Sequence, residues 1–141
     1  MKLRAILVFA MLAASLSLLS CIVTSRSIGV EISCDEFTED PHSIRNEFEV
    51  EVGDKITVEL CSNPTTGFAW TYEMTSENVL QEEDYDFVEP EDDEVVGAAG
   101  TDVWTFEAVE KGTTEVNMEY SKPWQDGIKE EWTYTFTVTV E

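Results

Sequence analysis

Beyond residue 27 the chain alternates apolar and polar positions in a series of short runs. Ile28, Val30 and Ile32 share one face of the first. Phe48, Val50 and Val52 alternate with Glu47, Glu49 and Glu51, and Gly53-Asp54 then turns the chain into a run carrying Ile56, Val58 and Leu60. Phe68, Trp70, Tyr72 and Met74 follow, then Trp104, Phe106 and Ala108, then Val116, Met118 and Tyr120. The last run is the cleanest, with Trp132, Tyr134, Phe136, Val138 and Val140 set against threonines. A period of two places successive side chains on opposite faces of a strand, so each run predicts a strand with one buried face and one wet face. Between them, residues 35–46 are polar, contain Pro41 and predict a loop. Residues 78–81 predict a turn, and Tyr85 with Phe87 a brief strand. No helical period appears after the first twenty residues. Seven or eight strands at spacings of roughly ten residues predict an all-β, immunoglobulin-like antiparallel sandwich. Trp70, Trp104 and Trp132 lie on apolar faces, where packing is a sufficient role.

The chain has 141 residues, enough for one domain with a real core. Its start has a different character. Lys2 and Arg4 precede an apolar stretch, residues 6–19, that is short for a membrane span, the pattern of an export signal over residues 1–20. Leu18-Leu19-Ser20-Cys21 resembles a bacterial lipobox, in which Cys21 would be lipidated and become the new N-terminus. Simple cleavage near the same place is the alternative. Residues 21–27 then read as a tether and 28–141 as the domain. The expected location is the cell envelope, held by lipid on Cys21, or outside the cell. Export leaves Cys34 and Cys61 in an oxidising compartment, where they form either a disulfide or two buried thiols.

Charge narrows the partners. The whole chain is formally −22; Lys2 and Arg4 lie in the leader, which has no acid, so from Cys21 on six basic residues face 30 acids, about −24. Such a surface repels nucleic acid and anionic lipid heads, so any membrane contact is expected only through the anchor. Ten acids fall within residues 77–94, which read as a solvated excursion without the ligand spacing of a calcium loop. The only histidine, His42, sits beside Pro41, and one His with two distant Cys makes no zinc site. No nucleophile, base or phosphate-cradling loop is recognisable, so neither an enzyme nor a cofactor or metal is expected.

Three interruptions of the pattern remain. Asn63-Pro64-Thr65-Thr66-Gly67-Phe68 separates two strands; Pro64 fixes φ, Gly67 permits φ > 0, and two stiff threonines lie between. That predicts a preformed bump, although Asn, Pro and Gly are equally the residues of an ordinary turn. Gly97-Ala98-Ala99-Gly100 has side chains small enough for its backbone to approach a partner. Lys122-Pro123-Trp124 offers an aromatic anchor held by a proline. In an immunoglobulin-like sandwich such loops can cluster at one end.

This set, in this order and within a β-rich domain, resembles the chagasin family of cysteine-protease inhibitors, from about Phe48 to the C-terminus. The resemblance implies an inhibitor of papain-like proteases, here expected to act reversibly and as a monomer. By the family's pattern the first loop enters the catalytic cleft, with Thr65 and Thr66 nearest the catalytic Cys–His pair. Gly97, Ala98, Ala99 and Gly100 lie along the non-primed subsites, and Pro123 and Trp124 pack on the primed side. Two positions depart from the pattern: Lys122 stands where the family usually has arginine, and Ala99 where it usually has glycine. A planar guanidinium is lost and a Cβ gained, which bears on affinity and target range. The rival reading is an immunoglobulin-like surface or adhesion module that uses the same loop end.

Overall fold

The computed structural model describes residues 24–39, 42–90 and 97–141. The residues expected to form an export signal, Cys21, Pro41 and the end of the acidic stretch lie outside them. The strands are β1 (Ser27–Ile32), β2 (Ser43–Val50), β3 (Lys55–Ser62), β4 (Ala69–Met74), β5 (Leu80–Val88), β6 (Gly100–Ala108), β7 (Gly112–Ser121) and β8 (Trp132–Val140). A single helical turn, α1 (Cys34–Phe37), joins β1 to β2, and a 3₁₀ turn, Pro64–Thr66, joins β3 to β4. Two four-stranded sheets, ordered β1-β3-β6-β5 and β2-β8-β7-β4, make an immunoglobulin-like sandwich.

The alternation does what a period of two requires. In β3 Ile56, Val58 and Leu60 point inward and are fully buried, sharing one core with Phe106 of the same sheet and with Val116, Met118, Tyr134, Phe136 and Val138 of the opposite sheet. Trp70 and Trp104 are buried members of this core, and Trp132 packs against it half-buried. The outward faces carry threonine and glutamate.

Pairing is antiparallel within the sheets, but β1 runs parallel to β3 and β2 parallel to β8. Parallel neighbours need a crossover, and here it is made through the opposite sheet: β1 leaves through α1, β2 lies in the second sheet, and β3 returns. Residues 35–46 are therefore not the continuous loop that their polarity predicts; a helical turn opens the stretch and β2 starts at Ser43. Similarly, β5 is nine residues long rather than brief, because its register shifts between Glu82 and Asp84 and breaks the alternation. At the end remote from the loops, Asp54 ties β1 to the turn before β3. Its carboxylate accepts from Arg26 N (2.8 Å) and Glu51 N (3.0 Å).

Candidate functional site

The three loops singled out above lie at the same end of the sandwich and touch one another. The first is built around Asn63. Its Oδ1 accepts from Thr65 N (3.2 Å) and Thr65 Oγ1 (2.6 Å), capping the 3₁₀ turn, and Pro64 occupies the first turn, where no donor is needed. Asn63 O accepts from Thr66 N (3.1 Å) and Thr66 Oγ1 (2.6 Å), while Gly67 N donates to Pro64 O (3.1 Å). Gly67 closes the turn at φ 81°, a left-handed conformation that glycine adopts without strain. The two threonine hydroxyls are thus bonded within the loop, and Pro64, Thr65 and Thr66 project exposed at its tip.

The second loop is fastened to the first. Asn63 Nδ2 donates to Gly97 O (2.7 Å), and Gly97 has φ 84°. At its other end Gly100 is buried in β6, where a Cβ would lie 2.5 Å from both Val88 O and the Phe87 ring. Ala98 is half-buried and Ala99 exposed, so the methyl group that departs from the family pattern faces solvent.

The third loop leans on the first from the other side. A Cβ on Gly67 would come within 2.7 Å of Trp124 Cη2, so the indole edge rests against bare backbone there. Trp124 is nevertheless 52% exposed. The Lys122 ammonium lies 5.0 Å from the centre of the Phe68 ring and 5.6 Å from that of Trp124, a cation–π position against both loops. Lysine therefore keeps the charge between two aromatic faces although the guanidinium plane is absent. Inside the loop, Lys122 N donates to Ile128 O (2.8 Å), Gly127 N to Trp124 O (3.1 Å), and Lys129 Nζ to Lys122 O (2.5 Å).

Two supporting residues carry no signal of this role in the sequence. Tyr120 reads there as one more core position, yet its hydroxyl accepts from Asn63 N (2.8 Å) while its ring stacks under Phe68 at 5.2 Å. Lys129 reads as a surface charge, yet it braces a loop carbonyl. His42 is half-buried, and Thr133 N donates to its carbonyl (3.0 Å) at the start of β2. Cys34 and Cys61 are joined by a disulfide with Cα atoms 5.1 Å apart. Among the described residues no group of three or more His, Cys, Asp or Glu could hold a metal ion, and no helix is long and apolar enough to cross a membrane. A concavity of about 450 Å³ lies on the outer face of the second sheet among Arg45, Thr71, Glu73 and Asn117, away from the loops.

Comparison with known proteins places the same end of the molecule in context. A family model described as chagasin family peptidase inhibitor matches residues 49–140. Chagasin of Trypanosoma cruzi is 39% identical over 80 residues, which cover 53% of this chain and 71% of that protein. Amoebiasin-2 of Entamoeba histolytica is 28% identical over 91 residues, covering 64% of this chain and 74% of that one. In fold, the chain is similar to the crystal structure of the Entamoeba histolytica cysteine protease inhibitor EhICP2, with a TM-score of 0.66 at 21% identity, covering 84% of this chain and all of the other. It is also similar to PbICP-C solved in complex with falcipain-2, with a TM-score of 0.53 at 14% identity over 83% of this chain and all of the other.

Proposed function

The chain belongs to the chagasin family of peptidase inhibitors, and from that premise we propose that it is a reversible, tight-binding inhibitor of papain-like cysteine proteases. The family comprises inhibitors rather than enzymes. The single observation that carries the site assignment is the bridging of three loops into one surface: Asn63 bonds Gly97, and Trp124 rests on Gly67. We assign protease contact to Asn63, Pro64, Thr65, Thr66, Gly67 and Phe68, to Gly97, Ala98, Ala99 and Gly100, and to Lys122, Pro123 and Trp124.

Inhibition without turnover follows from the shape of the first loop. A protease cleaves a segment laid extended along its cleft, with one carbonyl held in attack geometry. Here the tip is a 3₁₀ turn whose carbonyls at Asn63 and Pro64 already accept hydrogen bonds from within the loop. A plug of this form excludes substrate and water from the catalytic pair while presenting no scissile bond in register. Because its conformation is set before contact, little ordering entropy opposes binding. The flanking loops add an edge of small residues able to pair backbone with an extended groove, and an exposed indole of the type that dominates interface energies.

The test is titration of papain, with a fluorogenic peptide substrate, by the purified protein. Competitive, reversible inhibition with the inhibitor recovered intact is the expected result. Binding to cells or matrix with no effect on any papain-like protease would instead favour the adhesion reading.

Export and lipid attachment at Cys21 form part of the proposal, supported by the pattern of residues 2–21. Labelling with palmitate in a bacterial host, lost in Cys21→Ala, is the check. A monomer is expected to elute on sizing at the mass of one chain.

A further inference from the structure

The connection from β1 to β2 lies outside the span that the family model matches, residues 49–140, yet it crosses the sandwich at the loop end. β1 finishes at Ile32, in register with Leu60, three residues before Asn63. β2 begins at Ser43, in register with Thr133, just after the third loop. Between them, α1 is too short to persist by itself. Glu36 Oε2 accepts from Ser33 N (2.7 Å) and Ser33 Oγ (2.9 Å), and the disulfide fastens Cys34 to Cys61, two residues before Asn63.

Phe37, fully buried, is what this turn contributes to the interior. Its ring stacks on Trp132 at 5.2 Å and 11°, and lies 5.3 Å from Trp70. Trp132 stacks on Tyr120 at 4.8 Å and 11°, and Tyr120 on Phe68 at 5.2 Å and 21°. Four rings thus form one continuous stack from the helical turn to the first loop. Along it, Trp132 opens β8 immediately after the third loop, and the Tyr120 hydroxyl holds the Asn63 amide. The turn is therefore attached to the first loop twice, through the disulfide and through the stack.

We infer that the disulfide-tethered turn Cys34–Phe37 is a positioning element for the inhibitory loops, acting through Phe37 and through the Cys34–Cys61 bond. It touches no protease. It fixes where Asn63, Phe68 and Trp124 stand, so that affinity depends on the oxidation of a bond outside the contact surface. This rests on the protease reading above, and the test separates the two.

Amide hydrogen exchange of the purified protein reads loop order without any protease. In Cys34→Ser/Cys61→Ser, the amides of Asn63 and Gly67 are expected to exchange about 10-fold faster, while Val116 and Phe136, paired between β7 and β8, stay within about twofold. Phe37→Leu keeps the disulfide and most of the buried volume but removes the ring, and should speed the same two amides about threefold. The rate of dissociation from papain should rise in parallel, with association little altered. Unchanged loop amides, or a uniform rise that includes β7 and β8, would overturn the inference, the latter because it is the signature of general destabilisation. If the variant without the disulfide does not fold, Phe37→Leu decides alone. Parent protein that fails to bind papain would sink the protease reading, while the exchange data still decide the positioning role.

Discussion

Asn63 is the residue on which the loop surface can be tested most sharply, because its carboxamide has two separable functions. Oδ1 caps the 3₁₀ turn through Thr65 N and Thr65 Oγ1; Nδ2 bridges to Gly97 O. Losing a side-chain cap costs about 1 kcal/mol, and a neutral, exposed hydrogen bond such as the bridge about another 1 kcal/mol. Asn63→Ala removes both, so about 2 kcal/mol of loop ordering must be supplied on binding, which weakens affinity about 30-fold. Asn63→Asp keeps the acceptor and loses only the donor, so about 1 kcal/mol, or about fivefold, is expected. The order parent, Asn63→Asp, Asn63→Ala is the prediction, with most of the change in the dissociation rate. Surface-immobilised papain with its active-site thiol reduced gives both rates directly. Thermal melting supplies the control: losses of this size bound the fall in Tm at about 4 °C for Asn63→Asp and about 8 °C for Asn63→Ala, so both variants remain folded at assay temperature. If Asn63→Ala binds within twofold of the parent, the cap does not preorganise the loop. If Asn63→Asp is the weaker variant, bridge and cap have been assigned the wrong weights.

Three further outcomes follow from the structure. Trp124→Ala should cost about 2 kcal/mol of papain binding while leaving Tm unchanged, since the indole is 52% exposed and packs on Gly67 and not in the core; equal affinity in a competition titration would remove the third loop from the site. Tyr134 is fully buried, its hydroxyl has no hydrogen-bond partner among the described residues, and burial pushes its pKa well above the ordinary tyrosine value. Tyr134→Phe should therefore be neutral or stabilising by up to about 1 kcal/mol in urea denaturation, and a clear loss would mean the hydroxyl is satisfied in solution. The amides of Glu51 and Arg26 hold the Asp54 carboxylate below its ordinary pKa. The native state then binds fewer protons than the unfolded chain, so this stabilisation is complete above the unfolded value near ~3.9 and is lost as pH falls through the lowered folded value. Asp54→Asn should flatten the dependence of unfolding free energy on pH below about 4, and an unaltered slope would exclude Asp54 as its source.

Alternation reveals which face of a strand is buried, and for β3, β6, β7 and β8 that suffices to place the core. It is silent on which strand lies alongside which. Nothing in Ile28, Val30 and Ile32 distinguishes an antiparallel partner from the parallel β3 that they meet. Parity explains the misreading of β5: Leu80 and Tyr85 sit opposite the inward residues Ala108 and Trp104, but five positions separate them, and only a register shift permits that. A four-residue helix cannot display a 3.6-residue period at all, so α1 hides in a polar stretch. The loops were legible because their residues are constrained one by one: Pro64 and Gly67 have few conformations open to them, and Asn63 is a capping residue. Their mutual contacts were not. The role of Tyr120 depends on a hydroxyl that projects from a core position, and that of Lys129 on a turn whose path no short motif fixes.

Core and loop surface are not separate parts of this molecule. In many sandwiches the loops can be exchanged because the strands are indifferent to them. Here Phe68 is at once the last residue of the first loop, a ring under the Lys122 ammonium and the top of the stack that continues through Tyr120 and Trp132. Tyr120 is buried with the sheet and bonded to the loop at Asn63 N. Order at the tip is thus inherited from rings packed along the second sheet, where rings stacked face to face cannot shift singly without opening a void. A loop ordered in this way loses little further freedom when a protease closes on it. On the positioning role inferred above, a core substitution beneath the loops, at Trp132 or Phe37, is expected to change affinity as well as stability.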